Sequence, residues 1–195
     1  MLLASALDGD NHIFPLGLGI VNSENDSSWE WFLSKLKECM GDRDDLVIIS
    51  DRHISIPKAV SNVFPLAKHA ICMQHLCNNL KTRFHHGAIE PFFKTCAKAY
   101  KTQEFEKFMT LLERIDPGIK KYLEDADPLR WSRALFPGKR YNIMTTNISE
   151  SMNARLLEAR GLPVSQLVIE YRNILQGLFF DRLLSGQSMN SSLTT

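Results

Sequence analysis

Apolar residues in the first part of the chain fall into short dense runs separated by one-sided, helix-spaced patterns. Leu2 to Leu7 is a short apolar run closed by Asp8-Gly9-Asp10-Asn11, and a second run extends from Ile13 to Val21. Two such runs around strong turn chemistry predict a β-hairpin. Its first strand starts without a lead-in, and open sheet edges tend to be covered, so something upstream of Leu2 is expected to be missing. Trp29, Phe32, Leu33 and Leu36 recur at helical spacing, with Ser27 and Ser28 as candidate caps and Gly41 as the stop. Leu46-Val47-Ile48-Ile49 is short, continuous and β-branched, which predicts a buried central strand that delivers Ser50 and Asp51 at its carboxyl end. Ser55-Ile56-Pro57 opens a helix to about Val63, and Ala67 to Met73 predicts a strand leading into a helix through Leu80.

Beyond Lys81 the pattern is helical. Helices are predicted over Ile89 to Tyr100, Thr102 to Ile115 and Pro117 to Glu124, punctuated by Gly87, Asp116-Pro117 and Asp127-Pro128. After the Pro137-Gly138 turn come two more, Asn147 to Ala159 and Ser165 to about Leu184, separated by Gly161-Leu162-Pro163. The expected organisation is an α/β part over 1–80, a helical insertion over 81–135, C-terminal helices over 136–185 and a loose Ser/Thr/Asn-rich tail over 186–195.

Composition narrows the class. With 195 residues, 44% of them hydrophobic, the chain can bury one sizeable core and is too apolar to be disordered. The net charge of +1 hides a gradient. Acids dominate Met1 to Asp51, whereas Lys68, Lys81, Arg83, Lys94, Lys98 and Lys101 face only Glu90 over the next basic stretch. A phosphate backbone is therefore expected nearer Lys68 to Lys101. Cys39, Cys72, Cys77 and Cys96 form no paired framework and are expected as thiols in a reducing compartment. No apolar run reaches the roughly 18 residues that span a bilayer, so no membrane partner is expected.

Four residues stand out as candidates for chemistry. Asp51 lies at the carboxyl end of a predicted strand, where α/β sheets bind ligands and a carboxylate can hold a divalent cation; it could equally cap a turn. Glu150 follows Asn147 at capping-box spacing, which explains it without any metal, while a functional reading places Glu150 and Asn153 on one helical face. Cys72 and His75 stand at i and i+3, half of a zinc site by spacing, although packing and hydrogen bonding explain the pair as well. No nucleophile elbow, phosphate-cradling glycine loop or dinucleotide fingerprint is present.

These features align with one family. The chain resembles the transposase domain of plant Mutator-like elements through Ala6-Leu7-Asp8-Gly9 to Ile20-Val21, Ser28-Trp29-Glu30-Trp31-Phe32, Ile49-Ser50-Asp51-Arg52, Cys72-Met73-Gln74-His75-Leu76 with Asn79, and Met144 to Asn153. The resemblance implies an RNase H-like core with a helical insertion and an Asp-Asp-Glu set that binds two divalent ions, Mg²⁺ or Mn²⁺. On that reading Asp51 matches the second aspartate and Glu150 the glutamate. Cys72 and His75 match the family's Cys-x-x-His signature, with zinc binding, ordering of the site or DNA handling as open roles. The family's first aspartate lies on a strand upstream of the hairpin, and that strand is expected to be missing here. Asp8 and Asp10 occupy the hairpin turn and do not replace it. The resemblance implies ancestral DNA partnership and a nuclear setting, while two carboxylates of three imply no transposition by this chain alone. The alternative is a domesticated, transposase-derived transcription regulator or protein-interaction module, with self-association as a further expectation.

Overall fold

The computed structural model describes residues 1–188, and the chain divides into two units. One is Val21–Thr146; the other joins Met1–Ile20 to the described residues from Asn147 onward. The molecule is a mixed α/β structure with small sheets and many helices.

In the first unit, Asn25 rather than Ser27 or Ser28 caps helix α1 (Asp26–Met40): its side chain accepts the Ser28 N–H at 2.9 Å. Asn25 accepts with a carbonyl oxygen aimed at the third residue beyond it, which places the serines inside the first turn. Gly41, at φ 75°, ends the helix. Phe32, Leu33 and Leu36 are buried, and α1 packs on α2 (Ser55–Val63).

Between them, β3 (Val47–Ser50) pairs in parallel with β4 (Lys68–Ile71), from Val47 opposite Lys68 to Ser50 opposite Ile71. The short crossover through α2 suits a parallel pair whose strands are brief. Among the described residues this sheet has two strands, and every residue of β3 is partly exposed. The expectation of a buried central strand is thus corrected. An apolar run four residues long reports β-propensity, but how many neighbours a strand has is a property of the whole sheet.

The helical part follows as α3 (Met73–Phe84), α4 (Ile89–Lys98), α5 (Thr102–Ile115), α6 (Pro117–Asp125) and α7 (Pro128–Trp131). Asp116 and Asp127 cap the last two helices, each followed by a proline that needs no hydrogen-bond partner at that position. The core centres on Trp131, fully buried, with its ring 5.4 Å from that of Phe93 and 5.5 Å from that of Phe105. Its indole N–H donates to the Leu123 carbonyl at 3.0 Å, so the one polar atom of this large side chain is satisfied.

The second unit holds the hairpin, β1 (Leu2–Leu7) with β2 (Ile13–Gly19), and helices α8 (Asn147–Arg155) and α9 (Val164–Ser188), with a 3-10 turn at Ala159–Gly161. Register shifts between Ala4 and Ser5, where Leu16 is the extra residue on β2 beside Pro15. A proline that cannot donate to the ladder is tolerated at such a bulge. Met152, Leu156, Ala159 and Leu167 form a small core against Leu3, Ile13 and Leu18 of the hairpin. The expected tail lies outside the described residues from position 189 on.

Candidate functional site

The parallel register sets the geometry of the first unit. Because β3 and β4 end level, Ser50 opposite Ile71, the next residues Asp51 and Cys72 leave the sheet side by side. The Cys72 N–H donates to the Ser50 carbonyl at 2.8 Å and extends the ladder by one bond. Two sequence-derived candidates therefore meet at the carboxyl ends of adjacent strands.

Asp51 is half-buried. Its Oδ1 accepts the His53 N–H at 3.0 Å, a turn that leads the chain into α2. The turn-cap reading is thus realised at one oxygen, and Oδ2 makes no hydrogen bond among the described residues. A carboxylate with one oxygen committed and the other open is a hard donor that suits Mg²⁺ or Mn²⁺ as a single ligand.

Behind Asp51 runs a chain of hydrogen bonds. Ser50 Oγ donates to the Asp51 carbonyl at 2.8 Å and lies 2.9 Å from His69 Nε2. With its one proton used, the hydroxyl accepts from His69 Nε2–H, which leaves Nδ1 as the acceptor facing Arg130 Nη2 at 2.9 Å. Burial, with Arg130 nearby, pushes His69 down to about 4 and keeps the ring neutral in this tautomer. Arg130 is lowered too, first by burial and also by Arg52, while Asp127 opposes the shift.

Cys72 is fully buried, and its Sγ receives the backbone N–H of Thr146 at 3.3 Å and the Thr146 hydroxyl at 3.2 Å. Thr146 Oγ1 lies 3.4 Å from His75 Nδ1. The N-cap and first turn of α3 thus present the thiol and the imidazole to the same threonine, and the Met73 N–H adds a bond to the Met144 carbonyl at 2.8 Å. This Cys-x-x-His pair anchors the Met144–Thr146 segment. The unit itself supplies two of the four ligands that a closed zinc site takes, with the sulfur already accepting two hydrogen bonds.

Arg140, not singled out in the sequence, completes the support. It is 5% exposed, donates to the carbonyls of Trp131 and Ile71 at 3.1 and 3.4 Å, and lies over the Phe136 ring at 5.3 Å. Burial lowers it to about 10, Arg133 adding to the effect and Cys72 opposing it. Its sequence neighbourhood, Pro137-Gly138-Lys139, signals only a turn.

In the second unit, Glu150 is exposed in the first turn of α8, whose first residue is Asn147. Asn153, one turn on, accepts a hydrogen bond from Arg160. Asp8 is committed to the hairpin turn: Oδ1 accepts from the Asp10 and His12 N–H groups at 3.0 and 2.8 Å, and Oδ2 lies 3.7 Å from Arg182 Nε. Against an opposing desolvation, these partners hold its carboxyl below the usual value.

The basic stretch expected to meet phosphate is partly neutralised. Glu90 accepts from Lys81 and Lys94 at 2.5 and 2.7 Å, and the two lysines hold its carboxyl down at about 2. All four cysteines are free, Cys39 exposed and the others buried. No helix among the described residues is long and apolar enough to cross a membrane.

Comparison with known proteins gives a consistent direction. The model of the MULE transposase domain matches residues 1–79, a stretch that includes Asp51, Cys72 and His75. The transposase for insertion sequence element IS905 of Lactococcus lactis subsp. lactis (strain IL1403) is 26% identical over 149 residues, covering 72% of this chain and 38% of that protein. The transposase for insertion sequence element ISRM3 of Rhizobium meliloti (strain 1021) is 28% identical over 166 residues, covering 80% of this chain and 41% of its own length. The probable transposase for insertion sequence element ISRM3-like of Sinorhizobium fredii (strain NBRC 101917 / NGR234) aligns with the same identity and coverage. The chain spans about two fifths of the length of these curated relatives (38% and 41%). They are bacterial, whereas the resemblance read from the sequence was to plant elements.

Proposed function

We propose that this chain is a transposase-type DNA-transfer domain of RNase H-like ancestry, in which Asp51 and Glu150 are divalent-metal ligands. The observation that carries the reading is the level ending of β3 and β4, which sets Asp51 and Cys72 together at the carboxyl ends of a parallel pair. That is the end at which open α/β sheets bind ligands. The match of residues 1–79 to a transposase domain supports the transposase reading over the stretch that holds Asp51.

Bound divalent ions, Mg²⁺ or Mn²⁺, would supply activation of a water or 3′-hydroxyl and charge neutralisation for phosphoryl transfer. The protein's own part is positioning. His53 N–H fixes the Asp51 carboxylate at Oδ1, and the Ser50–His69–Arg130 chain holds the strand end behind it. Cys72 and His75 order the Thr146 segment rather than act on DNA, and zinc at this pair would require further ligands. Asp8 is held in its turn and contributes no third carboxylate. With Asp51 and Glu150 alone, the chain binds DNA and divalent metal but does not complete strand transfer; its setting is nuclear.

Mn²⁺ binding followed by electron paramagnetic resonance, together with nicking of transposon-end duplexes, tests the assignment. Weak Mn²⁺ binding that is lost in both Asp51→Ala and Glu150→Ala, with no nicking, is the expected result. Binding or nicking unchanged in both variants would sink the carboxylate assignment. Robust nicking abolished by either variant would keep the site and overturn the inactivity.

A second reading, a protein-interaction module derived from a transposase, is favoured by the exposed apolar residues Val168, Ile169, Phe179, Phe180, Leu183 and Leu184 of α9. Sedimentation of the chain separates it: a monomer at all concentrations argues against self-association through this helix.

A further inference from the structure

Beside Asp51 lies a group of cations, two of which, Arg52 and Arg83, the proposed chemistry does not use. Arg52, the next residue, is exposed; its Nη1 donates to the Tyr122 hydroxyl at 2.5 Å, and its guanidinium lies 5.2 Å from the Tyr122 ring centre. Arg83, from the last turn of α3, lies 5.3 Å from the same ring and 5.6 Å from Phe84. Phe84 meets Tyr122 edge-on at 6.3 Å and fixes its orientation. Arg130 stands close enough for Arg52 to weaken its basicity.

Among the described residues, none of these three arginines forms an ion pair with a carboxylate; the acid that bears on Arg130, Asp127, is the cap of α7. The contrast with Lys81 and Lys94 is direct, since both pair with the Glu90 carboxylate. Gathering like charges without counter-charge raises the energy of the free protein, and the arrangement is relieved by an anion. Guanidinium forks match phosphate oxygens two at a time. Tyr122 already has guanidiniums at its ring, so it serves as a spacer between cations and not as a platform for a stacked base.

We infer that Arg52, Arg83 and Arg130, spaced by Tyr122, form the surface that grips the phosphate backbone of DNA and leads a phosphodiester to Asp51. The choice of DNA rests on the reading given under the proposed function. These are positioning residues: backbone contacts set register and carry no sequence information.

The test is fluorescence anisotropy of a labelled duplex of arbitrary sequence with the whole chain, in EDTA, over a series of salt concentrations. Metal-free conditions separate this surface from the carboxylate assignment. Arg52→Gln with Arg83→Gln is expected to weaken binding roughly tenfold and to reduce the slope of log affinity against log salt by about 2, close to one unit for each phosphate no longer gripped. Tyr122→Ala, which removes no charge, is expected to weaken binding about threefold because the spacing is lost. Lys35→Gln with Arg43→Gln, at exposed positions of and just after α1, is expected to leave affinity unchanged. Circular dichroism melts confirm that each variant is folded.

Unchanged affinity and slope in the double arginine variant overturn the inference, as does an equal loss in the Lys35/Arg43 control, which would mean diffuse charge. Tyr122→Ala binding like the parent removes the spacer role. Failure of the parent chain to bind duplex overturns the surface while the Mn²⁺ measurement still decides Asp51. DNA binding without Mn²⁺ binding keeps the surface and sinks only the metal site.

Discussion

Where Val21–Thr146 closes fully buried neighbours around Trp131, the unit that joins the hairpin to α8 and α9 leaves most of its longest helix uncovered. Ile89, Phe93, Leu112, Ile119 and Leu123 are all 0% exposed in the former. In the latter, α9 runs from Val164 to Ser188 with Leu167 as its one buried residue among those described. A helix draws its stability mainly from an apolar face packed on something. The comparison therefore teaches that the helical unit carries its own fold, whereas the hairpin unit depends on a small core and a few polar ties, among them Arg182 with the Ile13 carbonyl and Asp8.

The sharpest way to break this contrast is Trp131→Ala. It empties a well-enclosed site and strands the Leu123 carbonyl, so urea denaturation should show a loss of about 3–5 kcal/mol; a loss under about 1 kcal/mol would mean that the site collapses freely. Next in size is acidification. His69 is held neutral, down at about 4, so folding favours proton release and its contribution is complete above the unfolded value near 6.5. That contribution, up to roughly 3 kcal/mol, should fall away as pH drops from 6.5 towards 4, and His69→Gln should flatten this part of the stability profile.

Leu156→Ala probes the smaller core. There, with few enclosing neighbours, a loss of about 2 kcal/mol is expected, at the low end for a buried leucine. Hydrogen exchange should already show faster opening of α9 than of α5 in the parent chain. Thr146→Val, which removes the hydroxyl donor to Cys72 but keeps the shape, should cost about 1 kcal/mol, read from the thermal midpoint. The smallest effect belongs to Glu90→Gln. Glu90 is held down at about 2 by Lys81 and Lys94, so its contribution is present above 4.5 and lost as pH falls through 2. Being at the surface, it should vanish in concentrated salt.

The order of elements was legible because local signals agreed along the chain: α5 spans Thr102–Ile115, as its periodicity and its Asp116-Pro117 stop predict. The hairpin was legible from its turn. What could not be read were quantities set by distant partners. Whether β3 is central depends on pairings outside its own four residues, and the Asn25 cap depends on where the chain turns into α1.

Asp51 and Cys72 were found by strand end and spacing, and the register makes them neighbours. Arg140 and Tyr122 were missed because their roles come from partners 69 and 70 positions away, Ile71 and Arg52. For Tyr122 a signal existed: Arg83 belonged to the basic stretch that was expected to meet phosphate.

One exposed thiol among four has a practical consequence. Cys72, Cys77 and Cys96 are enclosed and shielded from an oxidant, and burial pushes the Cys77 thiol up and the Cys96 thiol up to about 12. Cys39, near the end of α1, meets air first. A purified sample left without reductant will therefore accumulate a covalent pair linked through Cys39. Such a species is an artefact of storage with no bearing on assembly, and Cys39→Ser, which leaves the packed interior in place, yields the material in which genuine association can be measured.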